Sequence, residues 1–260
     1  MRRELSNRRA IVTGASSGIG RETALALAAN GVSSVVVARR EDRLRQLVER
    51  INALGQKAEV VVGDITDAET RRRAVDVAQS NFGGLDILVN NAGVGALGLF
   101  EQSDPERIRR VMEVNFFAPV EMIRAALPLL KQGVKPIVVN VSSIVGHRGV
   151  PHRSDYSASK FAMQGFSEAI RAEFVRLGID VMVVSPGTTG TEFFESEIER
   201  TSQPKWHEPK QVSAATVAKR IVRGIRFGRH EIIPSWYAQL LFWLNRFSPG
   251  LVDRALANYV

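Results

Sequence analysis

The chain has 260 residues, with 35 Lys plus Arg against 27 Asp plus Glu, so its formal net charge at pH 7 is +8. Apolar residues make up 45% of the chain, enough for a sizeable core, which excludes disorder as its main state. The absence of cysteine excludes a disulfide scaffold, a thiolate zinc site and a cysteine nucleophile.

The opening residues, MRRELSNRRA, lack the apolar region of a signal peptide. No uninterrupted run of about 18 apolar residues occurs, so we expect no membrane-spanning helix. These features, with the absence of cysteine, lead us to expect a cytoplasmic protein. Contact with a membrane surface remains open at the C-terminal end.

Short runs rich in Val and Ile alternate along the chain with longer helical segments. The runs are apolar throughout, which is typical of parallel strands covered on both faces. The seven predicted strands are residues 10–12, 35–38, 59–62, 87–89, 137–141, 180–184 and 231–233. Apolar residues three and four positions apart predict amphipathic helices over 21–30, 43–54, 69–81 and 155–177. The alternation predicts an α/β fold: a doubly wound parallel sheet of about seven strands with helices on both faces, in one domain over 1–260.

The first predicted strand runs directly into a glycine-rich turn, Thr13-Gly14-Ala15-Ser16-Ser17-Gly18-Ile19-Gly20, and a predicted helix follows. Glycine permits positive φ and lets backbone N–H groups approach an anion, which the helix N-terminus also attracts. The first βα turn is where Rossmann-type folds bind the pyrophosphate of a dinucleotide. The predicted contacts are Gly14, Ser16, Ser17, Gly18 and Ile19. The alternative is a tight turn that binds no ligand.

The end of the second predicted strand indicates which dinucleotide is bound. Dinucleotide folds that prefer NAD(H) place a carboxylate there for the ribose 2′-OH, whereas this strand is followed by Arg39 and Arg40. Guanidinium groups pair well with phosphate, so the sequence predicts NADP(H). Arg39 is the preferred selector. Arg40 is a second contact or, alternatively, belongs with Arg43 to a solvated helix start.

A tyrosine and a lysine open the long helix predicted from residue 155. Tyr156 and Lys160 are four residues apart and therefore share one face of that helix. A nearby cation stabilises a phenolate, which lets tyrosine act as an acid or base near neutral pH. Ser143, thirteen residues before Tyr156, follows the strand at 137–141, and active-site groups of open α/β sheets gather at the carboxyl ends of strands.

These features resemble the short-chain dehydrogenase/reductase family, in the type whose chains have about 250 residues. The matching residues occur in family order between about residues 8 and 191. They are the turn from Thr13 to Gly20, Asp64, Asn90-Asn91-Ala92-Gly93, Asn115, Ser142-Ser143, Tyr156-x-x-x-Lys160 and Pro186-Gly187-x-x-x-Thr191.

The resemblance implies a role for each matching residue. Tyr156 would be the general acid in reduction and the base in oxidation, and Lys160 would lower its pKa and hydrogen-bond the nicotinamide ribose. Ser143 would polarise the substrate carbonyl, with Ser142 as the ambiguous neighbour. Asn115 would hold a water in the proton relay or, alternatively, be a buried asparagine that bends its helix. The remaining implied cofactor contacts are Asp64, Ile65, Asn91, Ala92, Gly93, Pro186, Gly187, Thr189 and Thr191.

The last third of the chain is expected to select the substrate. Residues 191–211, with Phe193, Phe194 and Trp206, read as a partly helical lid. The segment 235–260 carries a broad apolar stripe that ends at Ser248-Pro249-Gly250. Three interpretations stay open: packing on the core or a partner subunit, a wall of a lipophilic pocket, or a helix on a membrane surface.

The sequence thus predicts an NADP(H)-dependent oxidoreductase that interconverts a ketone or aldehyde and an alcohol, with a lipophilic substrate. The alternatives are a catalytically idle NADP-binding regulator, or a 3-oxoacyl reductase within the same enzyme class. The family resemblance implies a homodimer or homotetramer formed through the helices containing Asn115 and Tyr156. We expect no nucleic-acid partner, because no recognition motif accompanies the basic residues. We expect no metal, because the four histidines lack metal-ligand spacing.

Overall fold

The computed structural model describes residues 2–193, 197–201 and 211–257. Its strands are β1 (Arg8–Thr13), β2 (Val32–Ala38), β3 (Ala58–Val62), β4 (Ile87–Asn90), β5 (Ile137–Val141), β6 (Asp180–Val184), β7 (Thr189–Gly190), β8 (Val212–Ser213) and β9 (Glu231–Ile232). Seven of them form a parallel sheet in the order β3-β2-β1-β4-β5-β6-β9, while β7 pairs with β8. All seven predicted runs are strands of this sheet, which confirms the predicted Rossmann-type fold.

Helices connect the strands and cover the sheet. They are α1 (Gly18–Ala28), α2 (Glu41–Ala53), α3 (Ala68–Phe82), α4 (Arg107–Met112), α5 (Ala118–Leu130), α6 (Ser154–Phe174), α7 (Ala214–Phe227), α8 (Trp236–Phe247) and α9 (Pro249–Ala257). A π-helical turn, Glu113–Phe117, joins α4 to α5. Within the described ranges, no helix is both long enough and apolar enough to cross a membrane.

The core lies in two layers, one on each face of the sheet. Successive strand residues point to opposite faces, so Val12 and Val36 pack with α1, α2 and α7, whereas Ile11 and Val35 pack with α3, α5 and α6. These four side chains are fully buried, and each such side chain stabilises the fold by about 1.5–3 kcal/mol. Burial on both faces explains why the strands are apolar throughout.

Local signals fix where several helices begin and end. The Asp67 carboxylate accepts a hydrogen bond from the Glu69 backbone N–H and caps α3, and Gly83 ends that helix at φ 73°. Ser213 caps α7 in the same way, and Gly228 ends it at φ 61°.

The C-terminal stripe forms a helix that ends where the sequence predicts. The helix α8 ends before Ser248, but a further helix, α9, begins immediately at Pro249, because proline fits the first position of a helix. The predicted lid is described only in part. Phe194 and Trp206 lie outside the described residues.

The strand order places a crevice at the centre of the sheet. From β1 the chain adds β2 and β3 on one side, and then β4, β5, β6 and β9 on the other. In open α/β sheets this reversal leaves a crevice at the carboxyl ends of the two central strands, here β1 and β4. Predicted site residues follow both of these strands: Gly14 comes after β1 and Asn91 after β4.

Candidate active site

A cavity of about 770 Å³ opens at the carboxyl ends of β1 to β6. The predicted cofactor contacts all line it. They are Gly14, Ser16, Ser17, Gly18, Ile19, Arg39, Arg40, Asp64, Ile65, Asn91, Ala92, Gly93, Tyr156, Lys160, Pro186, Gly187, Thr189 and Thr191. Ser143 lines the same cavity. The structure thus brings together residues that lie up to 177 positions apart in the chain (191 − 14).

The glycine turn presents backbone to this cavity. Gly14 has φ +65°, and a Cβ there would lie 2.7 Å from Cα of Ala92, so a larger residue would clash with backbone. Gly18 has φ +53°, and a Cβ there would lie 3.0 Å from Thr191. The Asn91 amide donates to the carbonyls of Thr13 and Gly14 at 3.0 and 3.1 Å and holds the turn in place. A tight backbone cradle before a helix N-terminus fits the pyrophosphate of a dinucleotide.

The arginines after β2 differ in their surroundings. The Arg39 side chain is 69% exposed and lies 3.7 Å from the Asp64 carboxylate. The Arg40 guanidinium instead donates to the hydroxyls of Ser16 and Ser17, at 3.0 and 2.8 Å. Arg40 is therefore the arginine in contact with the glycine turn, and the preference for Arg39 as the selector stays a prediction.

Asp64 begins the turn after β3. Its carboxylate accepts hydrogen bonds from the backbone and hydroxyl of Thr66, at 3.0 and 2.8 Å. These bonds fix the carboxylate at the cavity wall. Its predicted contact with adenine stays a prediction.

Tyr156 and Lys160 lie on the first turns of α6, and both are buried. The Lys160 ammonium lies 5.5 Å from the centroid of the Tyr156 ring and donates to the Val141 carbonyl at 3.1 Å. The Ser143 hydroxyl donates to the Pro186 carbonyl at 3.4 Å, and its interaction with the Tyr156 phenol acts to lower the pKa of that phenol. The Ser142 hydroxyl, which also lines the cavity, instead donates to the Lys160 carbonyl at 3.2 Å. Of the two serines, Ser143 therefore stands beside the tyrosine, as its spacing predicts.

The pKa values of this pair are set mainly by burial. Loss of solvation raises the pKa of Tyr156 to about 12, although the Ser143 hydrogen bond and the charge of Arg153 act in the opposite direction. Burial also lowers the pKa of Lys160 to about 8. Burial thus outweighs the nearby charges at Tyr156, and the implied lowering of its pKa by Lys160 stays a prediction. A phenol with a raised pKa stays protonated at neutral pH and can donate a proton.

Asn115 lies in the π-helical turn between α4 and α5 and is buried. Its side-chain oxygen accepts from the Val94 N–H at 2.9 Å, and its amide donates to the Val94 carbonyl and to the Ser159 hydroxyl, each at 3.0 Å. These bonds tie the loop after β4 to α6, as the alternative interpretation of a buried structural asparagine requires. Its water-holding role stays a prediction.

Comparison with known proteins identifies the family. The family described as short chain dehydrogenase matches residues 8–202, which include the glycine turn, Ser143, Tyr156 and Lys160. The chain belongs to the short-chain dehydrogenase family. Members of this family are oxidoreductases.

Two similar curated proteins carry names that mention lipid substrates. An 11-beta-hydroxysteroid dehydrogenase-like 4A protein of Arabidopsis thaliana is 37% identical over 246 residues, which cover 93% of this chain and 81% of that protein. A 3-ketodihydrosphingosine reductase of Bacteroides thetaiotaomicron is 37% identical over 186 residues, which cover 72% of this chain and 65% of that protein.

Solved structures of the family share the fold. A short chain dehydrogenase/reductase of Burkholderia phymatum in complex with NAD has a TM-score of 0.87 at 24% identity, covering 96% of each chain. A short chain dehydrogenase of Burkholderia cenocepacia in complex with NADP has a TM-score of 0.78 at 28% identity, covering 89% of this chain and 97% of that one. Structural neighbours therefore bind nicotinamide cofactors of both kinds.

Some residues of this short-chain dehydrogenase site were not singled out from the sequence. Arg153 lines the cavity and pairs with the buried Glu197 carboxylate at 3.1 Å. Glu192, directly after Thr191, also lines the cavity and pairs with Arg40 and Arg43. The only sequence signal for Arg153 is its position three residues before Tyr156, where it is the N-cap residue of α6. No local signal indicates the contacts of Glu192.

The C-terminal helices contribute to the cavity wall. Tyr237 and Leu241 of α8 and Leu256 of α9 line it, beside Phe193, whose ring centroid lies 5.5 Å from that of Tyr156. Phe242 packs edge-on against His147 at 4.8 Å. The outer face of α8 is exposed and carries Trp236, Leu240, Trp243, Leu244 and Phe247. The inner face of α8 thus packs against the rest of the fold and lines the cavity, while its outer face is apolar and exposed to solvent.

His147 belongs to a cluster of polar side chains that also contains Glu231 and Ser185. His147 lies 2.6 Å from the Glu231 carboxylate, which also accepts from the Ser185 hydroxyl at 2.7 Å. Across the described ranges, no group of three His, Asp or Glu side chains is arranged to hold a metal ion.

Proposed function

We propose that this protein uses NADP(H) to interconvert a ketone or aldehyde and the corresponding alcohol, with a lipophilic substrate. The observation that carries the proposal is one cavity that holds the glycine turn, Arg40 and the Ser143–Tyr156–Lys160 group. The bound nicotinamide supplies or accepts the hydride. The protein orients the cofactor and substrate and moves the proton.

The polar residues have complementary tasks in this mechanism. Ser143 and Tyr156 donate hydrogen bonds to the carbonyl oxygen, where negative charge develops during reduction. Tyr156 then gives its proton to that oxygen as a general acid. The Lys160 cation stabilises the phenolate that remains. Tyr156 is protonated at neutral pH and is therefore present in the form that can act as this acid.

Cations at the end of β2 support the choice of NADP(H). Arg40 faces the glycine turn with Ser16 and Ser17, and Arg43 lies beside it through their shared partner Glu192. Guanidinium groups and hydroxyls are good partners for a 2′-phosphate. The NADP complex of the Burkholderia cenocepacia relative is consistent with this choice.

The apolar part of the cavity supports a lipophilic substrate. Beyond Ser143 and Tyr156 the wall is formed by Val145, Val150, Phe193, Tyr237, Leu241 and Leu256. Apolar walls with a few converging polar groups are typical of pockets that bind hydrophobic small molecules. The names of the steroid dehydrogenase-like and ketodihydrosphingosine reductase relatives agree with such a substrate.

We also propose two macromolecular contacts. The first is a homodimer or homotetramer formed through the helices containing Asn115 and Tyr156, because Ile108, Phe117 and Phe161 on that part of the fold are exposed apolar residues. The second is peripheral contact of the outer face of α8 with a membrane surface.

The test measures turnover and cofactor binding separately. Tyr156→Phe and Ser143→Ala should each lower NADPH oxidation with bulky apolar ketones by about two orders of magnitude or more, while the Kd for NADPH stays nearly unchanged. Ser142→Ala is the matched control for Ser143→Ala and should keep most of the turnover. Substrates would be a panel of steroid, retinoid, long-chain and short acyl ketones.

Three results would contradict this proposal. Retained turnover in Tyr156→Phe would refute its role as the proton donor. Tight NADPH binding without turnover of any ketone would favour the idle regulator. Turnover confined to 3-oxoacyl substrates would favour the 3-oxoacyl reductase.

A further inference from the structure

The Glu192 carboxylate lies between two arginines, one of which, Arg40, also contacts the glycine turn. Glu192 accepts hydrogen bonds from Arg40 at 2.9 Å and from Arg43 at 2.5 Å, one to each carboxylate oxygen. Arg40 simultaneously donates to the hydroxyls of Ser16 and Ser17. Two guanidiniums thus bind one carboxylate, and one of them also binds two hydroxyls of the glycine turn.

Arg40, Arg43 and Glu192 meet at the place where dinucleotide folds select their cofactor. Arg40 follows β2, at the strand end where dinucleotide folds distinguish a ribose 2′-OH from a 2′-phosphate. Glu192 reaches the same point from a distant segment, directly after Thr191, 149 residues along the chain from Arg43. Carboxylate and phosphate satisfy the guanidinium fork in the same way, so a group that binds one presents the right donors for the other.

We propose that Glu192 is a built-in competitor for the 2′-phosphate of NADP(H), and that Arg43 joins Arg40 in binding this phosphate once Glu192 is displaced. This inference rests on the proposed use of NADP(H). It assigns cofactor selection to Arg40, Arg43 and Glu192. NAD(H) lacks the 2′-phosphate, so it binds without displacing the Glu192 carboxylate. Its affinity therefore does not depend on Glu192.

The strength of the competition follows from exposure. Arg40, Arg43 and Glu192 are each about one-third to one-half exposed, so their ion pairs are screened by solvent. Exposed ion pairs of this kind contribute little, and losing two of them to a competing phosphate changes the Kd for that ligand by roughly three- to tenfold. Glu192 therefore tunes the affinity for NADP(H) without preventing binding.

The Glu192 carboxylate also lies close in sequence to a residue that contacts Tyr156. Phe193 follows Glu192 directly and contacts the Tyr156 ring. The competing carboxylate therefore lies one residue from the ring that packs against Tyr156.

The experiment compares ligands that differ only in the 2′-phosphate. Isothermal titration would give the Kd of NADPH and NADH, and of adenosine 2′,5′-bisphosphate and AMP, for the wild type and Glu192→Gln. We expect Glu192→Gln to bind the two 2′-phosphate ligands about three- to tenfold more tightly and the other two unchanged. Glu22→Gln is the matched control. This variant also removes one negative charge near the glycine turn, but Glu22 pairs with Arg21, at 3.2 Å. The Kd values of Glu22→Gln for all four ligands should therefore match those of the wild type.

A second pair of variants tests the receiving cations. Arg43→Gln should weaken both 2′-phosphate ligands by about three- to tenfold and leave NADH unchanged. Arg45→Gln, on the same helix and paired with the exposed Glu41, should leave all four ligands unchanged. An equal loss for NADPH and NADH in Arg43→Gln would overturn the assignment of Arg43.

The outcomes separate this inference from the proposed function. If the wild type prefers NADPH but Glu192→Gln binds it no more tightly, the competitor role is overturned alone. If Glu192→Gln tightens NADH as much as NADPH, the carboxylate acts on general charge, and the inference is again overturned. A wild type that binds neither 2′-phosphate ligand would overturn the proposed cofactor and the inference together.

Discussion

Tyr156 and Lys160 are both buried, and burial shifts their pKa values in opposite directions. Each shift favours the uncharged form: the pKa of the phenol rises to about 12 and that of the ammonium falls to about 8. From the ordinary value of 10.5, the fall for Lys160 corresponds to about 3 kcal/mol of folding free energy at neutral pH. The protein thus keeps a cation beside Tyr156 at the expense of stability.

Replacing this lysine should stabilise the protein while removing its activity. Lys160→Met has similar volume and no charge to desolvate, so we expect the free energy of unfolding at pH 7 to rise by about 1–3 kcal/mol. The lower part of that range allows for the lost hydrogen bond to the Val141 carbonyl. Urea unfolding would measure the stability, and NADPH oxidation the loss of turnover.

The pH dependence shows whether the lysine charge is responsible. Between about pH 8 and 10.5 the unfolded lysine binds more protons than the folded one, so wild-type stability rises with pH relative to Lys160→Met. The advantage of the variant should therefore be complete below pH 8 and shrink through this window. The exposed Lys131→Met is the control and should show no such trend. A Lys160→Met protein less stable than the wild type at pH 7 would contradict the prediction.

At the scale of single elements, α8 divides its apolar residues between two environments. Leu241 lines the cavity, whereas its neighbour Leu240 is exposed on the outer face. Both residues lie in the middle of the same twelve-residue helix. Replacing either one changes the same side chain on the same helix, so differences between the variants report the environment alone.

This division predicts different kinetics for the two leucines. Leu241→Ala should raise the KM for a bulky apolar ketone by about tenfold, because it removes apolar contact from the substrate wall. Leu240→Ala should leave that KM unchanged. Steady-state kinetics would measure the KM of each variant for one bulky and one small ketone. The KM for the small ketone should change little in either variant. Equal KM values for the two variants would remove α8 from the proposed substrate wall.

Residues close in sequence or fixed by a strand end were predictable, and partners from distant segments were not. The glycine turn, the Tyr156–Lys160 pair and the seven strands follow from local spacing and composition. The stripe on α8 spans too wide an arc to reveal which residues face inward. The contact of Glu192 with Arg43 depends on how the loops of the finished sheet approach each other. Placing Arg40, and not Arg39, nearest the turn likewise needed the direction in which the chain leaves β2.

At the scale of the whole molecule, the positive charge and the outer face of α8 bear on the proposed membrane contact. The net charge of +8 attracts the protein to an anionic surface. The exposed strip of α8 continues into α9 through Leu251, and it includes two tryptophans, which are favoured at the boundary between lipid and water. Because the inner face of α8 lines the cavity, a lipid surface there would lie next to the pocket.

Vesicle binding tests this contact with two matched variants. Phe247 and Phe100 are 80% and 76% exposed, the first on α8 and the second between β4 and α4. Replacing either with Glu lowers the net charge by one, so both variants lose the same general attraction. We expect Phe247→Glu to reduce co-sedimentation with phosphatidylserine-containing vesicles several-fold more than Phe100→Glu does. Added salt should weaken vesicle binding by the wild type and by both variants.

Sedimentation without lipid distinguishes a membrane surface from a second subunit. If the outer face of α8 contacts lipid, Phe247→Glu keeps the molecular mass of the wild type in solution, because the proposed subunit contact lies on the helices of Asn115 and Tyr156. If Phe247→Glu instead lowers that mass, the strip is a subunit interface and the membrane proposal fails. Equal loss of vesicle binding in both variants would also refute it, since net charge alone would then account for the attraction.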